Sequence, residues 1–404
     1  MSQPTAQPAE RTVGAVINSN TTAEKPAWIR FDRHELAGAF GDIGTDLPLI
    51  VALIASCQLD ATSVCICFGV LQMAMGLLYG IPMPVQPLKA MAAIMLARHL
   101  SPGTLGGAGI VIGATMLLLA VSGTLTWLAR ITEKHVVRGL QLGLGLSLGW
   151  LAVRKYITAD AGPGLALALI STAVLLLLRG QKKVPAPLIV IALGVLYGVL
   201  VKHPELRWSR DVGLTPMHLQ IPTRQQLAEG ALLLALPQIP LSLGNSVIAT
   251  SQATEDLFAH RAVSVKKIGI TYGLINLVAP LFGGIPVCHG CGGLVGFYGF
   301  GARTGGAPIL YGALYVVLGL FFGRSFSKVI QVFPLPVLGV VLLFEAAALV
   351  LLLRDITQQP RALVIALLVA IAVLVAPYGY VVGLLGGIVL TQLWGHTTAL
   401  KHRK

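Results

Sequence analysis

Apolar residues run through this chain in long blocks, not in the short alternations of half-buried strands. From about residue 36 to residue 395, blocks of roughly twenty apolar residues recur, separated by short polar or basic stretches. About 20 apolar residues in helical conformation cover the hydrocarbon of a bilayer. The pattern predicts fourteen segments, near 36–56, 61–81, 84–98, 104–128, 135–153, 161–179, 185–202, 227–252, 262–283, 285–300, 305–323, 334–353, 360–377 and 378–395. The segment near 227–252 contains two prolines and is expected to bend. The segments at 84–98 and 285–300 are too short and too rich in Gly and Pro to be ordinary spans. The expected fold is all-α and polytopic, with fourteen transmembrane segments.

Composition points the same way. Of the 404 residues, 55% are hydrophobic and only 11% are charged, against about 25% charged in soluble domains. A surface this poor in charge is solvated by lipid and not by water. The net charge is +13, but no five basic residues run together, which argues against a nucleic-acid surface. The five cysteines lie in or beside apolar blocks and do not form a secreted disulfide framework.

Residues 1–28 are polar and lack the basic start and apolar core of a signal peptide, so they are expected to be a disordered cytosolic tail. Residues 397–404 are expected to be a basic cytosolic tail. Most Lys and Arg fall in alternate loops, which places both ends in the cytoplasm and the 203–226 connecting loop outside, despite its basic residues. The expected location is a bacterial inner membrane. There is no G-x-x-x-x-G-K-[ST] phosphate loop, and no segment is long enough for a nucleotide-binding domain.

The two halves, 29–202 and 227–396, carry matching interruptions. The third segment enters with Ile81-Pro82-Met83-Pro84-Val85-Gln86-Pro87, and the tenth with Gly283-Gly284-Ile285-Pro286-Val287-Cys288-His289-Gly290. A repeat of seven segments places its copies in opposite orientations. Paired interruptions at corresponding positions mark the binding site of many transporters. A half-helix that starts in mid-membrane offers free N–H groups and the positive end of its dipole, which together suit an anion. Pro84 and Pro87 suit the entry to a helix, and Gly290, Gly292 and Gly293 allow close approach of backbone. Kinks or tight packing are the alternative reading of the same residues.

Polar side chains inside the segments are costly in lipid and need a reason. They are Asp42, Thr45 and Asp46 in the first segment, Gln86 and Lys89 in the third, and Gln238, Ser242, Asn245 and Ser246 in the eighth. The last four can share one helical face. Glu345 stands alone in the twelfth. Lys89 reads equally as counter-charge to an anion or as a structural partner of Asp42 or Asp46. His289 reads as a hydrogen-bond donor at the half-helix start, a proton carrier or a packed histidine. Cys288 and Cys291 form a C-x-x-C, but no second ligand pair accompanies it, so no metal or cofactor is expected.

Four ordered stretches resemble the molybdate transporter family, a branch of the sulfate permease superfamily. They are Phe40-Gly41-Asp42-Ile43-Gly44-Thr45; Pro82 through Ala90; Pro237-Gln238-Ile239-Pro240 with Asn245 through Ala249; and Cys288-His289-Gly290 with Gly292-Gly293-Leu294 and Phe300 through Gly306. The resemblance implies two inverted seven-segment repeats. It implies a core domain from 34–128 and 227–323, and a gate domain from 135–202 and 334–396. It further implies a substrate between the third and tenth segments, an elevator-like shift of the core, and homodimers. Cys291 departs from the small residue expected at its position, and Asp46 is an extra acid.

On this resemblance the oxyanion is ligated by backbone around Gln86 and from His289 through Gly290 and Cys291 to Gly292. Thr45, Gln238, Asn245 and Ser246 add hydrogen bonds, and Lys89 compensates charge. Asp42, Asp46, His289 and Glu345 are candidate proton carriers for symport, and Arg303 orders a loop. Sulfate, bicarbonate or an anionic nucleobase are alternative substrates. An enzyme using Asp42, Asp46 and His289 would lack a nucleophile–base pair. A channel would need a continuous pore.

Overall fold

The computed structural model describes residues 27–160, 162–178, 186–202, 217 and 219–401. All but the end of the expected N-terminal tail, most of the connecting loop and the last basic residues, 402–404, lie outside the described residues. The described chain is almost wholly helical. In the first half the helices are α1 (Arg33–Ala39), α2 (Ile43–Cys57), α3 (Ala61–Tyr79), α4 (Lys89–Arg98), α5 (Pro102–Val121), α6 (Thr124–Ile131), α7 (Lys134–Leu151), α8 (Pro163–Leu177) and α9 (Ala186–Tyr197). In the second half they are α10 (Arg224–Gly230), α11 (Leu236–Leu241), α12 (Ala249–Leu257), α13 (Val265–Val278), α14 (Cys291–Gly299), α15 (Gly306–Val332), α16 (Leu335–Leu351), α17 (Pro360–Val375) and α18 (Gly379–Lys401).

By length and composition, seven of the described helical stretches can cross a membrane. An eighth is the pair α1 and α2, if its 40° bend is taken as one broken span. Shorter apolar helices cover Pro163–Leu177, Ile189–Leu200, Pro360–Val375 and Gly379–Trp394. Large apolar side chains such as Leu118, Leu169, Leu177, Val375 and Leu393 are exposed, as a lipid-facing belt requires.

Local signals explain most boundaries. Asp60, Ser101 and Ser264 accept hydrogen bonds from the third backbone N–H of α3, α5 and α13, and Thr223 forms a capping box with Gln226 at α10. Three boundaries differ from the expected ones. The 104–128 segment divides at Ser122-Gly123, because Gly123 takes a left-handed conformation with φ 79°. The first segment breaks at Phe40–Asp42, where the chain turns before α2. The 227–252 segment stays helical from Arg224 to Leu257. Its backbone is wound more loosely, as π-helix, at Ala231–Ala235 and Ser242–Ile248, on either side of Pro237 and Pro240. Local π turns absorb a missing proline N–H without ending a helix.

The centre of the molecule is not helical. The chain is extended ahead of α4 and ahead of α14, and two short strands, β1 (Gln86–Pro87) and β2 (Val287–Cys288), pair antiparallel with Gln86 opposite Cys288. Leu88 N donates to Pro286 O at 3.1 Å. Polar backbone at this depth must be paired within the protein, and each half meets that need in the same way. Gln72 of α3 brackets Val85, accepting from its N–H at 3.2 Å and donating to its carbonyl at 3.0 Å. Asn276 of α13 brackets Val287 likewise, at 2.8 and 2.6 Å. The two amide clamps match in form.

The helices sort into two groups by packing. In the first group α3 lies on α15, α5 on α13 and α10, α2 on α4, and α12 on α14. In the second, α7 packs on α16, α17 and α18, and α8 on α9 and α16. Where the groups meet, Ala90, Ala93 and Leu241 of the first join Val136, Leu140, Leu144, Ala346 and Leu349 of the second in one apolar cluster.

Candidate functional site

The start of α4 meets a small cavity between the two helix groups; Cys288, ahead of α14, also reaches it, whereas Gln86, Gly290, Cys291 and Gly292 are not among its lining residues. Lys89, Gln238, Leu241, Asn245, Ser246 and Cys288 line it from the first group, and Gln141, Leu144 and Leu349 from the second. The space open to the centre of a water is about 20 Å³. A single water needs about 10–15 Å³ by that measure. The cavity as it stands admits a water but not a four-oxygen anion.

Each sequence-predicted residue can now be placed. Lys89 opens α4 and faces the cavity, but its ammonium pairs with Glu345 of α16, not with Asp42 or Asp46. Glu345 is therefore not isolated. Its other oxygen accepts from Thr45 Oγ1 at 3.3 Å, which turns Thr45 to Glu345 and away from the cavity. The physical reason is plain. A lone carboxylate on an apolar helix is costly in lipid, and the nearest cation in reach relieves that cost.

Gln238 lines the cavity, yet its carbonyl oxygen is already used. It accepts from the N–H groups of Ala90 and Met91 at 3.0 and 3.1 Å, and its amide donates to Ser242 Oγ at 3.2 Å. The expected free N–H groups behind Gln86 are thus capped by a side chain from another helix. Ser242 is turned from the cavity and bonds Tyr272 Oη at 2.8 Å. The π turn at Ser242–Ile248 breaks the expected single face, so the consecutive residues Asn245 and Ser246 both reach the cavity.

His289 is fully buried and held at both ring nitrogens. Nδ1 lies 3.0 Å from Pro84 O, and Nε2 lies 2.9 Å from Thr271 Oγ1, which in turn lies 2.6 Å from Tyr79 Oη. Pro84 O can only accept, so Nδ1 carries a hydrogen. This ring ties the two extended segments together, and both of its nitrogens are engaged.

The start of α14 is different. Gly290 stands at its N-cap with no side chain to cap it. A Cβ on Gly290 would overlap Gln86 Oε1, and a Cβ on Gly293 would overlap Asp42 Oδ2, whereas one on Gly292 would meet nothing within 4 Å. Gln86 Nε2 donates to Asp42 Oδ1 at 2.6 Å. Asp42 Oδ2, both oxygens of Asp46 and Gln86 Oε1 are buried without a hydrogen-bond partner, four of five such side-chain atoms among the described residues. Asp42 and Asp46 sit behind the half-helices and not in the cavity. Cys291 is the first residue of α14 and partly exposed, while the other four cysteines are buried. Among the described residues no group of His, Cys, Asp or Glu is arranged to hold a metal. Arg303 donates to the carbonyls of Tyr298 and Ala302, both at 2.7 Å, and stacks on the Tyr298 ring, closing the far end of α14.

Gln141 was missed by sequence reasoning. It sits in α7, accepts from Arg138 Nη1 at 2.7 Å and donates to Asn245 Oδ1 at 3.2 Å, joining the two helix groups across the cavity. Its signal was available: a lone glutamine in an otherwise apolar segment near 135–153.

Comparison with known proteins gives concordant results. Residues 34–148 and 230–349 match a family described as "Molybdate transporter of MFS superfamily". The chain is 34% identical to molybdate transporter 2 of Arabidopsis thaliana, over 84% of this chain and 82% of that protein. It is 32% identical to molybdate transporter 1 of the same plant, over 82% of each. Among solved structures, the transmembrane domain of the cyanobacterial bicarbonate transporter BicA is similar, with TM-score 0.64 and 17% identity over 88% of this chain and 98% of that one. Murine Slc26a9, an anion transporter solved facing inward, gives TM-score 0.68 and 13% identity over 91% of this chain and 69% of that one. These likenesses establish the fold of an integral membrane transporter.

Proposed function

Because the chain belongs to the molybdate transporter family, we propose that it carries molybdate across the membrane by proton symport, with its first helix group moving as a body against the second. The observation that carries this reading is the position of Lys89. It is a cation at the start of a half-helix, facing a cavity lined from both helix groups. The apolar cluster where those groups meet includes small residues such as Ala90, Ala93 and Ala346, which suits sliding. In this reading the first group is the core and the second the gate. The spans, shorter apolar helices and two half-helices make fourteen segments in two inverted repeats.

The oxyanion would sit between Lys89 and the uncapped start of α14, with Asn245, Ser246 and Gln141 as side-chain ligands. Widening the cavity requires the groups to separate, so substrate entry and group motion are one event. Molybdate is a dianion, and drawing two negative charges into a negative interior costs about 4.6 kcal/mol per 100 mV. Coupled uptake of more than two protons makes the inward step favourable. Asp42 and Asp46, buried together and short of partners, are natural places for some of them. The Lys and Arg distribution supports both termini in the cytoplasm, and homodimers fit the resemblance.

Reconstituted vesicles test the reading. Labelled molybdate uptake should saturate and rise with an inward proton gradient. Uptake indifferent to that gradient refutes symport. Sulfate competing as well as molybdate refutes selectivity and leaves a general oxyanion carrier on the same fold.

A further inference from the structure

Lys89 is the one basic side chain lining the cavity, and it is already paired with Glu345. The partners come from different groups, Lys89 from the start of α4 and Glu345 from the middle of α16. Both side chains are little exposed, at 15% and 12%. Glu345 does not line the cavity itself. Its position is fixed from the first group at two points, by the Lys89 ammonium on one oxygen and by Thr45 Oγ1 on the other. An anion entering the cavity and Glu345 therefore compete for one ammonium, and any shift of the first group against the second pulls that ammonium from Glu345.

We propose that Glu345 is a built-in stand-in for the substrate anion, exchanged for it at Lys89, and that its release from Lys89 binds one of the transported protons. This rests on the oxyanion-transport reading above and deepens it. With no oxyanion bound, Lys89 and Glu345 neutralise each other across the two groups and hold them in register. When the oxyanion arrives, an ammonium N–H turns from the Glu345 carboxylate to an oxyanion oxygen. The freed carboxylate then faces a dianion in an apolar wall. It takes a proton from water on the side to which the cavity is open, forming a neutral carboxyl that keeps its contact with Thr45. On release of the oxyanion that O–H bond breaks, the proton leaves with water, and the carboxylate returns to Lys89. The ammonium keeps an anionic partner at both stages, the Glu345 carboxylate is neutralised whenever Lys89 leaves it, and one proton travels with each oxyanion through this residue.

The surroundings leave Glu345 few other partners. From α2, the carboxyl groups of Asp42 and Asp46 face the same region and offer Glu345 no cation. From α4, only Lys89 reaches it. The basic groups of α7 and the turn after it are engaged elsewhere: Lys134 and Arg138 with Asp355, His135 with Glu133 and Thr391, Arg154 over the Trp150 ring, and Lys155 with His99 and Leu96 O. α8 and α9, also packed against α16, carry no acidic or basic residue. Among the described residues the cation paired with Glu345 is Lys89, the one the substrate needs.

Infrared difference spectra of the purified protein, with and without molybdate, provide the test. Binding should produce a new protonated-carboxyl band in the parent, and calorimetry in buffers of different ionisation enthalpy should show proton uptake. Glu345→Gln should lose that band and take up about one proton fewer per oxyanion bound. It should also bind molybdate about tenfold more tightly, because Lys89 no longer has an internal competitor. Glu345→Asp, which keeps the charge, should shift the band instead of removing it, and stands in if the Gln variant does not fold. A band that persists unchanged in either variant, or a parent that binds molybdate with no band and no proton uptake, overturns the exchange. A parent that binds neither molybdate nor sulfate overturns the transport reading instead.

Discussion

At the start of α4 the free N–H groups of Ala90 and Met91 are taken by Gln238 Oε1, and a full positive charge, Lys89, stands beside them. At the start of α14 the N-cap residue has no side chain, no basic residue is present, the Asp42 carboxyl packs against Gly293, and Gly290, Cys291 and Gly292 follow one another. The two starts occupy equivalent places. Each follows an extended segment bracketed by an amide side chain, Gln72 in one half and Asn276 in the other, and the two segments pair as β1 and β2. The two starts have divided the chemistry. One supplies a cation with its first N–H groups already satisfied by Gln238, and the other supplies N–H groups for which no side-chain partner is found among the described residues. A dianion bridging them gains both, without two cations buried in lipid.

The largest test of this division lies in the glycines of α14. A Cβ at Gly290 would overlap Gln86 Oε1, while one at Gly292 meets open space. Gly290→Ala should push apart Gln86 and the β1–β2 pairing, costing about 1–3 kcal/mol or more by overpacking, and should lower the thermal midpoint in detergent sharply. Gly292→Ala should leave the midpoint unchanged and weaken molybdate binding about tenfold or more, because it narrows the approach to the uncapped N–H groups. Equal midpoints for the two variants would mean that the starts are not packed as described.

Gln238 gives an intermediate effect. Gln238→Ala strips two buried N–H groups of their acceptor, a loss of about 1–3 kcal/mol. The freed groups would then resemble those of α14, so saturating molybdate should raise the thermal midpoint of the variant more than it raises that of the parent. An equal rise in both would show that the start of α4 offers nothing to an anion even when uncapped.

Much of this was legible in the sequence, and the exceptions share a cause. The apolar blocks, the two short Pro- and Gly-rich segments and the polar residues inside spans are local features, and they pointed to a polytopic helical fold and to Lys89, Gln238, Asn245 and Ser246 of the cavity. Partner choice is not local. Lys89 and Glu345 are far apart in the chain, and nothing in the spacing of either names the other. Asp42 and Asp46 looked better placed because they are the acids in the neighbouring segment. Gln238 and His289 stand out in the sequence as polar residues inside the membrane, but the spacing does not say how many backbone groups an interrupted helix leaves for such side chains to satisfy. Gln238 caps one such group set, and His289 holds Pro84 O. The π turn at Ser242–Ile248 shifted a face that regular helical spacing had aligned.

The smallest effect, and the most direct view of the α14 start, comes from Cys291. Its thiol sits on the first residue of that half-helix and is partly exposed, while Cys57, Cys65, Cys67 and Cys288 are buried. The residue's place in the site is its backbone, so Cys291→Ala should change molybdate affinity by less than about threefold, since a partly exposed side chain with no partner contributes little. The thiol is nevertheless a reporter. A small thiol-specific reagent should modify Cys291 first, and molybdate, bound against the adjacent N–H groups, should slow that reaction in proportion to occupancy. Protection must vanish in Cys291→Ala and must be lost together with binding in Gly292→Ala. Modification at the same rate with and without saturating molybdate would place the oxyanion away from α14 and leave Lys89 alone as its anchor.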